Sequence, residues 1–150
     1  MRCDAYDIES MIQGENRIRA VMSSITMRLN NPETKRDVSK KELDTYATLE
    51  LALEMVLRGY RFSNIDLMRS SATEFLPDPE DPNKIIPPFT SIDGLGSSVA
   101  ISIVEARKKG AFLSKQDLND RTALNGTNIK KLEEMGVLSH LQEENQMSLF

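Results

Sequence analysis

The sequence predicts a mainly α-helical chain with one small β element, on three observations. Apolar residues recur at spacings of three and four through 18–29 and again through 43–57, one stripe of a helix each time. Residues suited to cap helices, Asp7, Ser39, Ser114 and Asn125, each stand just ahead of a helical segment. Between about Ile65 and Ile86 the pattern changes to short apolar stretches around Pro77-Asp-Pro-Glu-Asp-Pro82, the mark of short strands about a turn.

In chain order, Asp7 opens a short helix containing Ile8, Met11 and Ile12. After Gly14, the residues Ile18, Val21, Met22, Ile25 and Leu29 line one side of a second helix, which Asn30, Asn31 and Pro32 stop. Residues 32–38 are polar and are expected as a loop. Ser39 and Glu42 have the spacing of a capping box, in which hydroxyl and carboxylate satisfy two orphan N–H groups. The long helix that follows draws its apolar side from Leu43, Tyr46, Leu49, Leu53, Val56 and Leu57, and Gly59 is placed to end it. The methionines of this half suit adaptable core packing. Beyond it, three prolines argue against a regular tight hairpin, so a longer, mobile loop is expected, with Asp78, Glu80 and Asp81 as a solvated acidic turn.

Residues 85–112 carry the chemistry. Gly94 and Gly96 permit a tight or left-handed turn with no side chain in front of it, and Leu95 can point inward as its anchor. Ser97 and Ser98 then open a helix whose first N–H groups lack internal partners and carry the positive end of the dipole, so a phosphate fits there. Val99, Ala100, Ile103 and Val104 give that helix its apolar side, Lys108 and Lys109 close it with positive charge, and Gly110 stops it. A ligand-free Gly-rich corner between helices uses the same signal and stays open as an alternative. A weaker second copy spans 114–136: Ser114 caps a helix through Leu118, then Asn125 caps another with Ile129, Leu132 and Met135 inward and Gly136 as its stop. Asn125, Gly126, Thr127 and Lys130 would meet a second phosphate. This copy lacks the paired glycines, and a purely structural role for it stays open too.

Composition narrows the classes. At 150 residues, 39% hydrophobic and 28% charged, the chain suits one domain or two small ones. A net charge of -4 argues against a bulk-basic nucleic-acid binder, yet residues 94–131 hold seven Lys or Arg against three acidic residues. Cys3 is the only cysteine, which excludes an intrachain disulfide and fits a reducing compartment; His140, the only histidine, is expected at the surface. No apolar run approaches the ~20 residues that span a bilayer, so a cytoplasmic protein with no membrane partner is expected. No catalytic residue, metal ligand or cofactor site is expected. Residues 141–150 run from polar and acidic to apolar: either a tail packed on its own domain, or a linear motif that inserts Leu149 and Phe150 into a partner with Gln146 orienting it.

Residues 85–110 resemble a helix-hairpin-helix, a module that grips nucleic-acid backbone without reading bases, through its pattern of apolar residue, Gly, apolar residue, Gly. Asp93 departs from the module, standing where many hairpins carry proline or lysine; its carboxylate opposes a phosphate unless it points away. More widely, residues 49–60 (Leu-Glu-Leu-Ala-Leu-Glu-Met-Val-Leu-Arg-Gly-Tyr), 66–75, 86–96, 105–118 and 145–150 resemble the C-terminal end of the PolC-type replicative DNA polymerases, the DNA polymerase III α subunits of low-GC Gram-positive bacteria. The resemblance implies that 1–60 is the end of a fingers region, 61–140 a duplex-binding region with its hairpin at 85–110 and the second copy at 114–136, and 141–150 a flexible tail. Gln146, Met147, Ser148, Leu149 and Phe150 are similar to the family's sliding-clamp-binding pentapeptide, normally Gln-Leu-Ser-Leu-Phe, with Met147 in place of Leu. The implied partners are double-stranded primer-template DNA, the sliding clamp and the remainder of the polymerase chain. Polymerase chemistry needs carboxylates that hold two metal ions about 3.5–4 Å apart, which these residues do not supply. The palm, the exonuclease and their divalent ions, of which Mg is the expected one, are implied to lie elsewhere, and the chain is expected to be a non-catalytic piece. A free-standing helix-hairpin-helix adaptor that contacts proteins is the alternative.

Overall fold

The computed structural model describes residues 6–143. Asp7 accepts the N–H and the hydroxyl of Ser10 on its carboxylate and so caps α1 (Ile8–Gln13). The chain turns at Gly14 into α2 (Glu15–Leu29), whose stripe is the expected one, with Ile18 and Ile25 buried and Val21 and Met22 packed against the same core. The stretch expected as plain loop contains one 3-10 turn, Lys35–Asp37. α3 (Lys40–Leu57) begins at the expected capping box: the Glu42 N–H donates to Ser39 Oγ and the Ser39 N–H to Glu42 Oε2, both at 3.1 Å. The Arg28 guanidinium donates to both oxygens of Glu42 at 3.2 and 2.7 Å, tying the end of α2 to the start of α3.

The buried face of α3 is narrower than its sequence pattern. Thr48, Leu49 and Ala52 are buried, whereas Leu43 is 45% exposed and Leu57 56%. At about 100° per residue, Leu43 and Leu57 lie about a third of a turn or more from the direction shared by the buried three. A series of three- and four-residue steps can drift off the face that a neighbour actually covers.

The β element differs in two ways. Its strands are β1 (Arg61–Phe62), β2 (Leu76–Asp78) and β3 (Asp81–Ile86), with β3 central, parallel to β1 and antiparallel to β2. Ile65 and Leu67 lie outside any strand; both are buried in a turn organised by Asp66, which accepts the N–H groups of Met68 and Arg69. β2 and β3 form the tight hairpin that three prolines were expected to prevent. Pro79 and Glu80 are its two turn residues, and Pro82 falls beside the register shift between Pro77 and Asp78, where its missing N–H breaks no regular ladder bond. Asp78 is 6% exposed rather than solvated. Its carboxylate accepts the Glu80 N–H at 2.9 Å and the Arg69 guanidinium at 2.6 Å, which hold its pKa below the ordinary range in that order of weight. Asp81 pairs with Arg61 at 3.0 Å.

After β3, the chain runs through a 3-10 turn, Phe89–Ser91, into α4 (Ser97–Arg107), α5 (Lys115–Arg121) and α6 (Gly126–Glu134). Residues from Ile8 on α1 to Leu138 beyond α6 form one cluster of buried side chains, including Leu49, Phe89, Ile103, Leu118 and Leu132. Tyr6 and Phe62 both pack their rings on Phe75, at 5.2 and 6.1 Å between centroids, joining α1 to the sheet. Gln142 and Glu143 lie along the start of α5, accepting the N–H groups of Lys115 and Gln116. His140 is exposed, as expected. Among the described residues no helix is long and apolar enough to cross a membrane, and no group of three or more His, Cys, Asp or Glu is placed to hold a metal ion. Residues 144–150, with the pentapeptide expected to bind the clamp, and Cys3 lie outside the described residues.

Candidate nucleic-acid interface

Pro87 and Pro88, both buried, end β3, because proline offers no ladder N–H and disfavours helix in the residue before it. The helix ahead of the Gly-Leu-Gly turn is thereby cut to the single 3-10 turn of Phe89–Ser91, and Ile85 and Ile86 belong to the sheet. The turn is fastened from two sides. The N–H groups of Phe89 and Thr90 donate to the carbonyls of Ser71 and Ala72, and Phe89, Ile92 and Leu95 are buried. Leu95 is the inward anchor expected of it.

The two glycines play different parts. Gly94 sits at φ +81, which a side chain would strain. Gly96 sits at φ −78 and ψ 169, open to any residue, and a Cβ there would meet nothing within 4 Å. Its bare backbone therefore serves neither conformation nor internal packing, and it leaves the N-terminus of α4 open to an outside group. Gly96 gives α4 no side-chain cap, and the first interior bond is from the Ala100 N–H to the Gly96 carbonyl. The N–H groups of Ser97 and Ser98, both exposed, have no intrachain acceptor among the described residues.

The second copy stands beside the first. Asn125 caps α6 by accepting the Asn128 N–H at 2.7 Å, and Asn128 Oδ1 accepts the Asn125 N–H at 3.4 Å. Asn128 Nδ2 then donates to the Gly94 carbonyl at 3.3 Å, and the Ala123 N–H donates to Ser102 Oγ on α4 at 2.9 Å. Asn128, 4% exposed, thus joins the Gly94 turn to the N-terminus of α6. Gly126 and Thr127 at that end are exposed, as is Lys130 a turn further on. The sequence pattern did not single out Asn128; its signal was its place three residues after the Asn125 cap, the reciprocal position of a capping box.

Lys108 and Lys109 stand apart from the two helix starts. They follow the far end of α4, about 16 Å of helix from Gly96 at 1.5 Å per residue. The positive excess of 94–131 is also largely engaged inside the fold. Arg107 donates to the carbonyls of Leu67 and Ser70 and is buried enough for desolvation to lower its pKa. Arg121 donates to the carbonyls of Ala106, Gly110 and Ala111, pairs with Asp117 and stacks on Phe112. Lys108 pairs with Glu105, Lys115 with Glu133 and Glu143, and Lys131 with Glu9. Of the seven cations, Lys109 and Lys130 form neither an ion pair nor a side-chain bond to a carbonyl among the described residues.

An uncapped helix start after a Gly-X-Gly turn, backed by a second capped helix start, defines the class. The family model described as helix-hairpin-helix motif matches residues 59–148, and the chain belongs to that family. Over all 150 residues the chain is 47% identical to the DNA polymerase III PolC-type of Bacillus subtilis (strain 168), 43% to that of Streptococcus suis (strain 98HAH33) and 44% to that of Streptococcus pneumoniae serotype 2 (strain D39 / NCTC 7466). It spans 10% of the length of these relatives and is a PolC-like region.

Proposed function

We propose that this chain is the duplex-gripping and clamp-tethering part of a PolC-type replicative polymerase, without catalysis of its own. On this reading 1–60 ends the fingers region, 61–140 holds the duplex and 141–150 reaches the sliding clamp. The observation that carries it is the pairing of the open α4 start at Gly96, Ser97 and Ser98 with the α6 start at Gly126 and Thr127 through the Asn128–Gly94 bond. Two sets of outward N–H groups on one surface suit two backbone phosphates, and phosphate contacts carry no base preference. Lys130 adds charge beside the second set. The polymerase and exonuclease chemistry, with its Mg ions, would be carried by the rest of the longer protein.

Duplex titration at two salt concentrations tests this. Because few cations are free, the slope of log affinity against log salt is expected at roughly −1 to −2, about −0.9 for each cation that neutralises a phosphate. Gly96→Val, which meets open space in the folded chain, is expected to abolish binding without unfolding. Unchanged binding by this variant refutes the phosphate site. The net charge of -4 and the engaged cations favour one second reading, an adaptor that contacts proteins, and that reading stands if duplex DNA does not bind at low salt.

A further inference from the structure

Asp93 places a carboxylate immediately before the Gly94 turn, where it opposes an incoming phosphate. Lys41, from the first turn of α3 and 52 positions earlier, donates from Nζ to both Asp93 oxygens at 2.9 and 3.0 Å. The two side chains are 51% and 66% exposed, and an ion pair this open to water contributes little to folding. What it does change is the potential at the turn. The pair borders a cleft of about 450 Å³ whose other cations are Arg17, Arg28 and Lys131, the last two engaged by Glu42 and Glu9.

We infer that Lys41 is a positioning residue of the nucleic-acid site: by neutralising Asp93 it lets a backbone phosphate approach Gly94–Ser98, so that α3 conditions the hairpin it packs beside. This rests on the duplex-binding reading above. A carboxylate and a phosphate about 6 Å apart, at an effective dielectric between about 40 and that of water, repel enough to change affinity by about three- to tenfold. Lys41→Met is therefore expected to weaken duplex binding by that factor. Asp93→Asn removes the carboxylate and frees Lys41 for the phosphate, so affinity should rise and the salt slope steepen by about one. The double variant should regain the affinity lost by Lys41→Met without the steeper slope.

The test is duplex titration of the whole 150-residue chain and these three variants at two salt concentrations, with thermal melting to verify folding. Recovery in the double variant supports the inference, since a lysine needed for structure or direct contact would not be rescued by removing Asp93. Unaltered affinity in Lys41→Met, or a loss that Asp93→Asn does not restore, overturns it. If Lys41→Met fails to fold, Asp93→Asn alone decides: no gain and no change of slope overturn the inference. Gly96→Val, run in parallel, separates the two levels. Binding by Gly96→Val equal to the parent chain's removes the duplex reading itself, whereas a loss there with unaltered Lys41→Met and Asp93→Asn removes only the role of Lys41.

Discussion

Replacing Asn128 by Ala separates the link between the two hairpins from the cap of α6. The substitution removes two side-chain hydrogen bonds, Oδ1 from the Asn125 N–H at 3.4 Å and Nδ2 to the Gly94 carbonyl at 3.3 Å, and keeps the backbone bond to Asn125. Both are long, which places each near the lower end of the usual net contribution, about 0.5–1 kcal/mol. Gly94 is exposed, so its carbonyl regains water and adds no further penalty. The loss is then about 1–2 kcal/mol, a fall in Tm of roughly 2–8 °C for a chain of this size. Asn125→Ala is the control: it removes the cap of α6 at a cost of about 1 kcal/mol and leaves the Gly94 link in place. Urea denaturation of both variants gives the stabilities, and amide exchange at Leu95, whose N–H donates to the Ile92 carbonyl at 3.2 Å, reports on the link. Faster exchange there in Asn128→Ala only is expected. If both variants leave that exchange unchanged, Asn128 does not hold the turn and the two helix starts are not one surface.

Three further outcomes are expected. Gly94→Ala should destabilise by about 1–2 kcal/mol because of its positive φ, whereas Gly96→Ala should stay within about 0.5 kcal/mol, both read from urea midpoints. Asp78 and Asp117 have folded pKa values below their ordinary 3.8, Asp78 chiefly through the Glu80 N–H and then Arg69, Asp117 chiefly through the Leu113 N–H and then Arg121. The unfolded chain therefore binds protons first; the stability these groups contribute is present above the ordinary value and is lost as pH falls through the depressed one, and Asp78→Asn should flatten that acid limb in a pH series of melts. Deleting Leu149 and Phe150 should abolish binding to a purified sliding clamp at micromolar protein, since losing a buried anchor commonly costs about 2 kcal/mol or more. Equal calorimetric affinity for both chains would show that the tail is not the contact.

Local chemistry was enough to set the helix starts from the sequence. A cap needs only residues three apart, so Asp7, the Ser39–Glu42 box, Ser114 and Asn125 appear in the structure where their spacing puts them. The Gly94 turn, with Leu95 inward, was legible for the same reason, as an αL position favours glycine whatever lies around it. Tertiary structure decided what depends on neighbours far along the chain. Which face of α3 is covered follows from what packs on it, so Leu43 and Leu57 face water despite their spacing. The Pro-rich segment closes as a tight hairpin because Arg69 and a bulge hold it, neither of which a count of prolines reveals. Charge was the least legible property of all. Seven cations within 94–131 suggest a basic surface, but a cation pairs with whichever carboxylate, or donates to whichever carbonyl, the fold brings near, and only Lys109 and Lys130 escape engagement among the described residues. By the same rule, Lys41 meets Asp93 across 52 positions, a contact that exists only once α3 and the hairpin share one core.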